Sequence, residues 1–397
     1  MSVTSTPTPL LNGISAPANS FVLPGHKMVY IDTTKAASTT LRWMVADLAG
    51  EDFEPFYAGI GGEQTRLMGI HDGRQRWKKT PRLNDLSPEE LAQISPDNGW
   101  FIFAVVRDPY SRLWSAWESK LLLRNVKFMD RYSDQPWLPR VPQSGEQVIE
   151  DWRAFVRARP WDDVPGLDKD AHFRPQVHPI KPDGINYTKI YNLSELSTLF
   201  NDIHTHLGKL GLDQELYILK ANDTPLRMTA EVLDSGVREI IEDAYADDFA
   251  AFGDRWSIDK LKLAPNGWSS DAIDHAAFHT VANERIGDLR TEAQRLRREL
   301  RAARRKLNQR TITAADGSQT ANGAPLAPPA PLPSGMRDRP RSLVTESLAR
   351  CVAIARRPGD RALARKFVRG LTRWTLLRRV VPDSVQQRMR AASRRGH

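Results

Sequence analysis

The sequence predicts an α/β protein: a central parallel sheet with helices on both faces, extended by a C-terminal coiled-coil helix and basic amphipathic helices. Three observations carry that expectation. Short apolar runs alternate along the chain with segments of helical period, the pattern that builds βαβ units. One run, Trp100–Val106 (WFIFAVV), is uninterrupted, as a strand buried on both faces requires. The two clearest runs each empty into a polar loop that opens a helix, as parallel strands joined by crossovers do.

The elements follow in order. Residues 1–24 are Ser/Thr/Pro-rich and read as a disordered N-terminus; they lack the basic flank and apolar stretch of a signal peptide. Lys27–Asp32 (KMVYID) is the first strand, TTKAASTT its loop, and Leu41–Leu48 a helix by periodicity. Trp100–Val106 is the second strand, followed by a helix entered through Pro109. Weaker copies of the unit are expected at Thr188–Asn192, before a Ser194-capped helix, and at Leu216–Lys220, before a helix over Thr229–Phe252. Together these make one domain over residues 25–265. A coiled-coil helix is expected over 280–310, where Ala282, Ile286, Leu289, Ala293, Leu296, Leu300, Ala303 and Leu307 recur in alternating steps of four and three. Residues 311–342 read as a Pro/Ala-rich linker. Residues 343–397 read as a basic tail of two amphipathic helices, one with Leu363, Phe367, Leu371, Trp374 and Leu377 on a shared face.

Composition narrows the class. The chain has 397 residues, 40% of them apolar, enough for a sizeable core. Its single cysteine, Cys351, excludes an intramolecular disulfide and points to a cytoplasmic setting. No run reaches the length of a membrane-spanning helix. The net charge of +9 is uneven: residues 1–283 hold 30 Lys and Arg against 39 Asp and Glu, whereas residues 343–397 hold 14 against 3. An acidic body with a basic tail implies a polyanionic partner for the tail.

The loop Thr33–Thr40 leaves a strand and opens a helix, where backbone N–H groups and the helix dipole attract an anion. Lys35 supplies a point charge there, and Ser38, Thr39 and Thr40 supply hydroxyl donors. The loop lacks the Gly-rich pattern of a Walker A motif, and an ordinary Ser/Thr cap is its competing reading. Arg107 follows the buried strand at its carboxyl end, where open α/β sheets bind ligands, and Ser115 lies eight residues later. One guanidinium and one hydroxyl suit a single phosphate.

These two segments, TKAASTT and FAVVRDPYSRLWSAW, resemble the two nucleotide-binding motifs of the carbohydrate-type sulfotransferases of family 2. Three further stretches are similar to that family in the same order: His71 in MGIHDG, AHFRPQ at Ala171–Gln176, and AYADDFAAFG at Ala244–Gly253. The resemblance covers residues 25–255 and implies a phosphate-loop-like sulfotransferase fold and 3′-phosphoadenosine 5′-phosphosulfate as sulfuryl donor. It implies that Lys35, Ser38, Thr39 and Thr40 hold the 5′-phosphosulfate, while Arg107 and Ser115 hold the 3′-phosphate. Ala36-Ala37 leaves the contacts at that point of the loop, including that of Ala37, to the backbone.

Lys35 is the expected cation for the leaving oxygen, and a histidine the expected base, without any requirement for a metal. Two histidines compete, His71 between the motifs and His172 in AHFRPQ, where Arg174 is the candidate clamp for an anionic acceptor. The expected acceptor is a hydroxyl on a carbohydrate or glycolipid. The seam is expected to make a homo-oligomer, and the tail to meet an anionic membrane surface from the cytoplasmic side in preference to nucleic acid. Two other functions stay in view: a nucleotide-dependent phosphotransferase, for which Asp32 is the obvious metal-holding residue, and a non-catalytic oligomeric scaffold.

Overall fold

A computed structural model describes residues 8–57, 67–71, 73–219 and 225–318. The chain divides after Leu307, and every element that builds the site lies before that division. Four strands form one sheet: β1 (Ser20–Leu23), β2 (Met28–Ile31), β3 (Phe101–Val106) and β4 (Lys189–Asn192), in spatial order 1-2-3-4. β2, β3 and β4 run parallel, with Tyr30 opposite Phe103 and Ala104 opposite Ile190, while β1 pairs antiparallel with β2. In chain order the α-helices are α1 (Ser38–Leu48), α2 (Pro88–Gln93), α3 (Pro109–Trp117), α4 (Val126–Tyr132), α5 (Gly145–Ala158) and α6 (Pro160–Asp163). They continue as α7 (Val177–Ile180), α8 (Leu196–Lys209), α9 (Ser235–Ala244), α10 (Ala246–Phe252) and α11 (Ser270–Ser318).

The uninterrupted apolar run of β3 has the reason expected of it. Phe101, Phe103 and Val105 pack with α1 and α8 on one face, while Ile102, Ala104 and Val106 pack with Ile180 and Phe252 on the other. Alternate residues of a strand point to opposite faces, so only a strand covered twice can be apolar throughout. Each such side chain contributes about 1.5–3 kcal/mol of transfer free energy. A third cluster, centred on Trp114, Trp117 and Trp152, joins α3, α5 and α9 beside the sheet.

Several expectations are corrected. Leu216–Leu219 does not supply a strand: residues 212–219 have no regular structure, and Tyr217 and Ile218 face solvent while Leu216 and Leu219 pack against the core cluster that includes α1 and α8; Lys220 lies outside the described residues. The N-terminal segment is ordered in part, because Ser20–Leu23 adds an edge strand to β2 and Leu10 is buried. A four-residue strand between Pro17 and Pro24 is too short for periodicity to reveal. The helix expected over Thr229–Phe252 is divided: a 3₁₀ turn at Ala230–Leu233 ends at Asp234, which leaves the helical region and caps α9, and a second break falls at Tyr245, whose hydroxyl donates to the Phe173 carbonyl. The last helix runs from Ser270 to Ser318, past the expected start of the linker. The rest of the linker and the whole basic tail lie outside the described residues. Among the described residues no helix is long and apolar enough to cross a membrane.

Candidate active site

Because β2 and β3 are adjacent and parallel, the loops after them leave the same sheet edge side by side. After β2 the chain passes Asp32 and turns through Lys35 and Ala37, both with positive φ (68° and 60°). Non-glycine residues adopt this left-handed conformation rarely, and a bend that alternates it with right-handed residues makes a concavity of inward-pointing N–H groups suited to an anion. Ala37 is also the N-cap of α1 and offers no side-chain acceptor, so α1 opens without the cap that α3 receives from Asp108, whose carboxylate accepts from the Ser111 amide. An uncapped helix end leaves its donors for a ligand. The Thr33 hydroxyl at the start of the same loop is buried without a hydrogen-bond partner.

After β3 the backbone of Arg107 is held at both ends by the Gln176 amide. Arg107 N–H donates to Gln176 Oε1 (3.0 Å), and Gln176 Nε2 donates to the Arg107 carbonyl (2.8 Å). Asp248, fully buried on α10, fixes that amide by accepting from Gln176 Nε2 (3.2 Å) and from the Val177 amide (2.9 Å). So held, Arg107 Nη1 lies 3.4 Å from the Lys35 carbonyl, and the two strand-end motifs meet in one cleft.

Arg112, one turn into α3 and fully buried, ties the walls of the cleft together. Its guanidinium donates to the carbonyls of Thr34 (3.2 Å), Arg174 (3.0 Å) and Ala171 (2.7 Å), and Thr34 Oγ1 donates to Ala171 as well. Beyond α3 the helix continues as a π turn over Glu118–Leu122, with Leu123 N–H donating to Glu118 (2.9 Å) and Asn125 N–H to Lys120 (3.1 Å). Ser119 in that turn receives a hydrogen bond from Lys35 Nζ and donates to the Ser115 carbonyl (2.8 Å).

The cleft is crowded with positive charge. Burial, then the neighbouring Lys120 and Arg107, pushes the Lys35 ammonium down to about 7 from its ordinary 10.5, with Arg112 adding to the effect and Glu118 opposing it. Lys120, Arg107 and Arg112 are each lowered as well, first by burial. A buried ammonium that Lys120, Arg107 and Arg112 all push toward neutrality marks a place that an anion would stabilise.

Both candidate histidines border this cluster. His71 Nε2 is 2.8 Å from Thr39 Oγ1, although the residue as a whole is exposed. Desolvation, then the nearby Arg42, pushes its pKa down to about 4. His172 lies 2.7 Å from Asp170 through Nδ1, and burial lowers it to about 4 against the opposing pull of that carboxylate. A carboxylate only accepts, so Nδ1 carries the proton and Nε2 keeps its lone pair.

The sequence-derived candidates therefore divide. Lys35, Ala37, Thr39, Arg107, His71 and His172 converge. Thr40 is engaged elsewhere, donating to the Leu219 carbonyl (2.7 Å). Ser115 enters the network through its carbonyl. Arg174 contributes its carbonyl to Arg112 and has a buried Nε without a hydrogen-bond partner. Ser38 is buried at the first position of α1. Asp32 is committed to Tyr30 (2.8 Å) and Arg42 (2.5 Å). Sequence reasoning gave no role to Arg112, Ser119, Lys120, Asp170, Gln176 and Asp248; Arg112, Gln176 and Asp248 stand inside the quoted motifs, and the Asp-x-His spacing at 170–172 was a further local signal.

Residues 18–253 match the model of the Sulfotransferase family. No curated protein and no solved structure matches the chain.

Proposed function

Because the chain belongs to the sulfotransferase family, we propose that it moves the sulfuryl group of 3′-phosphoadenosine 5′-phosphosulfate to a hydroxyl of a carbohydrate or glycolipid. The observation that carries this reading is the 3.4 Å approach of Arg107 Nη1 to the Lys35 carbonyl, which sets the two strand-end segments side by side with four cations among them. A donor with phosphate groups at both ends of one nucleoside matches that arrangement. The left-handed loop, the amides that open α1 and Lys35 grip the 5′ end. Arg107 grips the 3′-phosphate with Ser115 beside it, and the buried orphan hydroxyl of Thr33 gains an acceptor.

Sulfuryl transfer breaks the S–O bond to the donor's phosphate as a new S–O bond forms to the acceptor. Charge grows on the departing oxygen, where the Lys35 ammonium stabilises it. The acceptor hydroxyl gives its proton to a base. His172 fits that role through Nε2, with Asp170 holding the ring and stabilising the imidazolium. His71, whose Nε2 is bound to Thr39, then orders the donor loop. Arg174, with its unpaired buried Nε, faces the acceptor side as a clamp for an anionic group.

The phosphotransferase alternative loses its metal-holding residue, since Asp32 is already bound to a cation and a phenol. Titration calorimetry with adenosine 3′,5′-bisphosphate tests the reading: micromolar binding supports it, and absence of binding overturns it in favour of a scaffold. Incubation with radiolabelled donor and a glycan or lipid extract then names the acceptor. The basic tail, residues 343–397, brings the enzyme to an anionic surface on the cytoplasmic side where glycolipids lie. Unchanged flotation with anionic liposomes after its deletion removes that part of the proposal.

A further inference from the structure

The last helix carries an apolar stripe that its own domain leaves open. Ile286, Leu289, Leu296 and Leu300 are 51–54% exposed and Leu307 65%, although they fall at a and d positions of one heptad frame. Isolated exposed leucines are ordinary; a run of them in seam register over three heptads is not. On the opposite side the helix is already seated, with Ala276 and Thr280 buried and the Thr280 hydroxyl donating to the Leu122 carbonyl (2.9 Å).

The charges that flank the stripe identify its occupant. In the frame set by Ile286 at a, the e positions are Arg290, Arg297 and Arg304, and the g positions Arg285, Glu292, Glu299 and Lys306. An antiparallel pairing centred on this seam sets e against e and g against g, so arginine meets arginine and glutamate meets glutamate. A parallel, in-register pairing sets each g against the e of the next heptad. Glu292 then meets Arg297 of the second copy, and Glu299 meets Arg304, twice over by symmetry. The one like-charged contact in that arrangement is Arg285 with Arg290, and Arg290 is drawn aside by Asp130 of its own domain at 3.3 Å. Both glutamates already hold Arg295 on the outer face (2.5 and 2.7 Å), so each stands between that residue and the arginine of the second copy.

From this pattern we infer that the chain is a homodimer joined by a parallel, in-register coiled coil over Ile286–Leu307. The pairing sets two active domains at the same end of one short rod, a consequence of orientation that the apolar seam by itself does not specify. The inference is independent of the reaction proposed for the cleft.

Sedimentation velocity on the full chain is expected to give a dimer. Leu296→Asp with Leu300→Asp is expected to give a monomer with an unchanged circular dichroism spectrum, since both side chains are exposed. Glu292→Arg with Glu299→Arg is expected to weaken dimerisation by about tenfold or more, and adding Arg297→Glu and Arg304→Glu to restore it. Only the parallel arrangement predicts the loss followed by the rescue, because in the antiparallel one the first exchange merely turns a glutamate pair into an arginine pair. In a Cys351→Ser background, Ala303→Cys at a d position is expected to cross-link under mild oxidation. A monomer at every accessible concentration, a higher oligomer, a dimer without the rescue or the cross-link, or a dimer lost on deletion of residues 319–397 each overturns the inference.

Discussion

An anion that enters beside Lys35 must change the protonation of that side chain, and the change can be counted. In the free protein burial and the neighbouring cations hold the ammonium at about 7. A bound dianion reverses those influences and restores a value near the ordinary 10.5. The sign follows: the bound state holds the proton over this whole range, whereas the free state loses it as pH rises through 7. Binding therefore takes up a proton at alkaline pH, and the dissociation constant grows about tenfold per pH unit above 7. Between pH 7.5 and 9.5 the loss is about seventyfold, or ~2.5 kcal/mol at ~1.4 kcal/mol per decade. In this window the ligand's own phosphates are fully ionised, their second pKa being about 6. Calorimetry with adenosine 3′,5′-bisphosphate in two buffers of different ionisation enthalpy reads proton uptake directly, about 0.9 per site at pH 8. Lys35→Met is expected to flatten the profile. Tight binding without proton uptake, and with a flat pH dependence, would refute the electrostatic account of the cleft.

Other expectations follow from the same contacts. Lys35→Ala should weaken bisphosphate binding at pH 7 by about 10²–10³-fold, as loss of the bound-state charge requires, and should depress kcat as well, whereas Arg107→Ala should weaken donor binding by about 2–3 kcal/mol with kcat less affected. Equal changes in both parameters for both variants would contradict the division of labour. His172→Gln should cost about 10²–10⁴ in kcat and Asp170→Asn a share of that, with His71→Gln milder; the reverse order in steady-state assays would reassign the base. Arg112→Met leaves the carbonyls of Thr34 and Arg174 without a donor and that of Ala171 with Thr34 Oγ1 alone, and should destabilise the fold by about 3 kcal/mol in urea unfolding; a loss under 1 kcal/mol would mean that water replaces the guanidinium.

The sheet and the two strand-end motifs were readable in the sequence because their causes are local. A strand buried twice must be apolar throughout, and a polar stretch between strand and helix must lie at the sheet's edge. The order of β2 and β3 then makes Lys35 and Arg107 neighbours. What escaped has causes that are not local. β1 is four residues long and packs by pairing with β2, a contact no periodicity records. Leu216–Lys220 has strand composition, yet the sheet ends at β4, and Leu216 and Leu219 pack against the core cluster that includes α1 and α8 instead. Gln176 and Asp248 were quoted within motifs, but their work on the Arg107 backbone depends on segments about seventy residues apart coming together. Arg112 reads as one more cation of an amphipathic helix until its three carbonyl partners are seen.

The stretch after α3 looks in sequence like uninterrupted helix, but the turn at Glu118–Leu122 winds wider, with bonds spanning five residues in place of four. That surplus is a phase shift, and it sets the angular position at which Ser119 and Lys120 emerge before the helix ends at Leu123 and the chain turns through Arg124 with φ 52°. Excising one residue here would rotate what remains of the turn by about 100° and replace the side chains beside Lys35. A substitution would alter only its own position. This segment should therefore absorb changes of chemistry far more readily than changes of length, and a library that varies spacing would find its sharpest intolerance where the chain looks most regular.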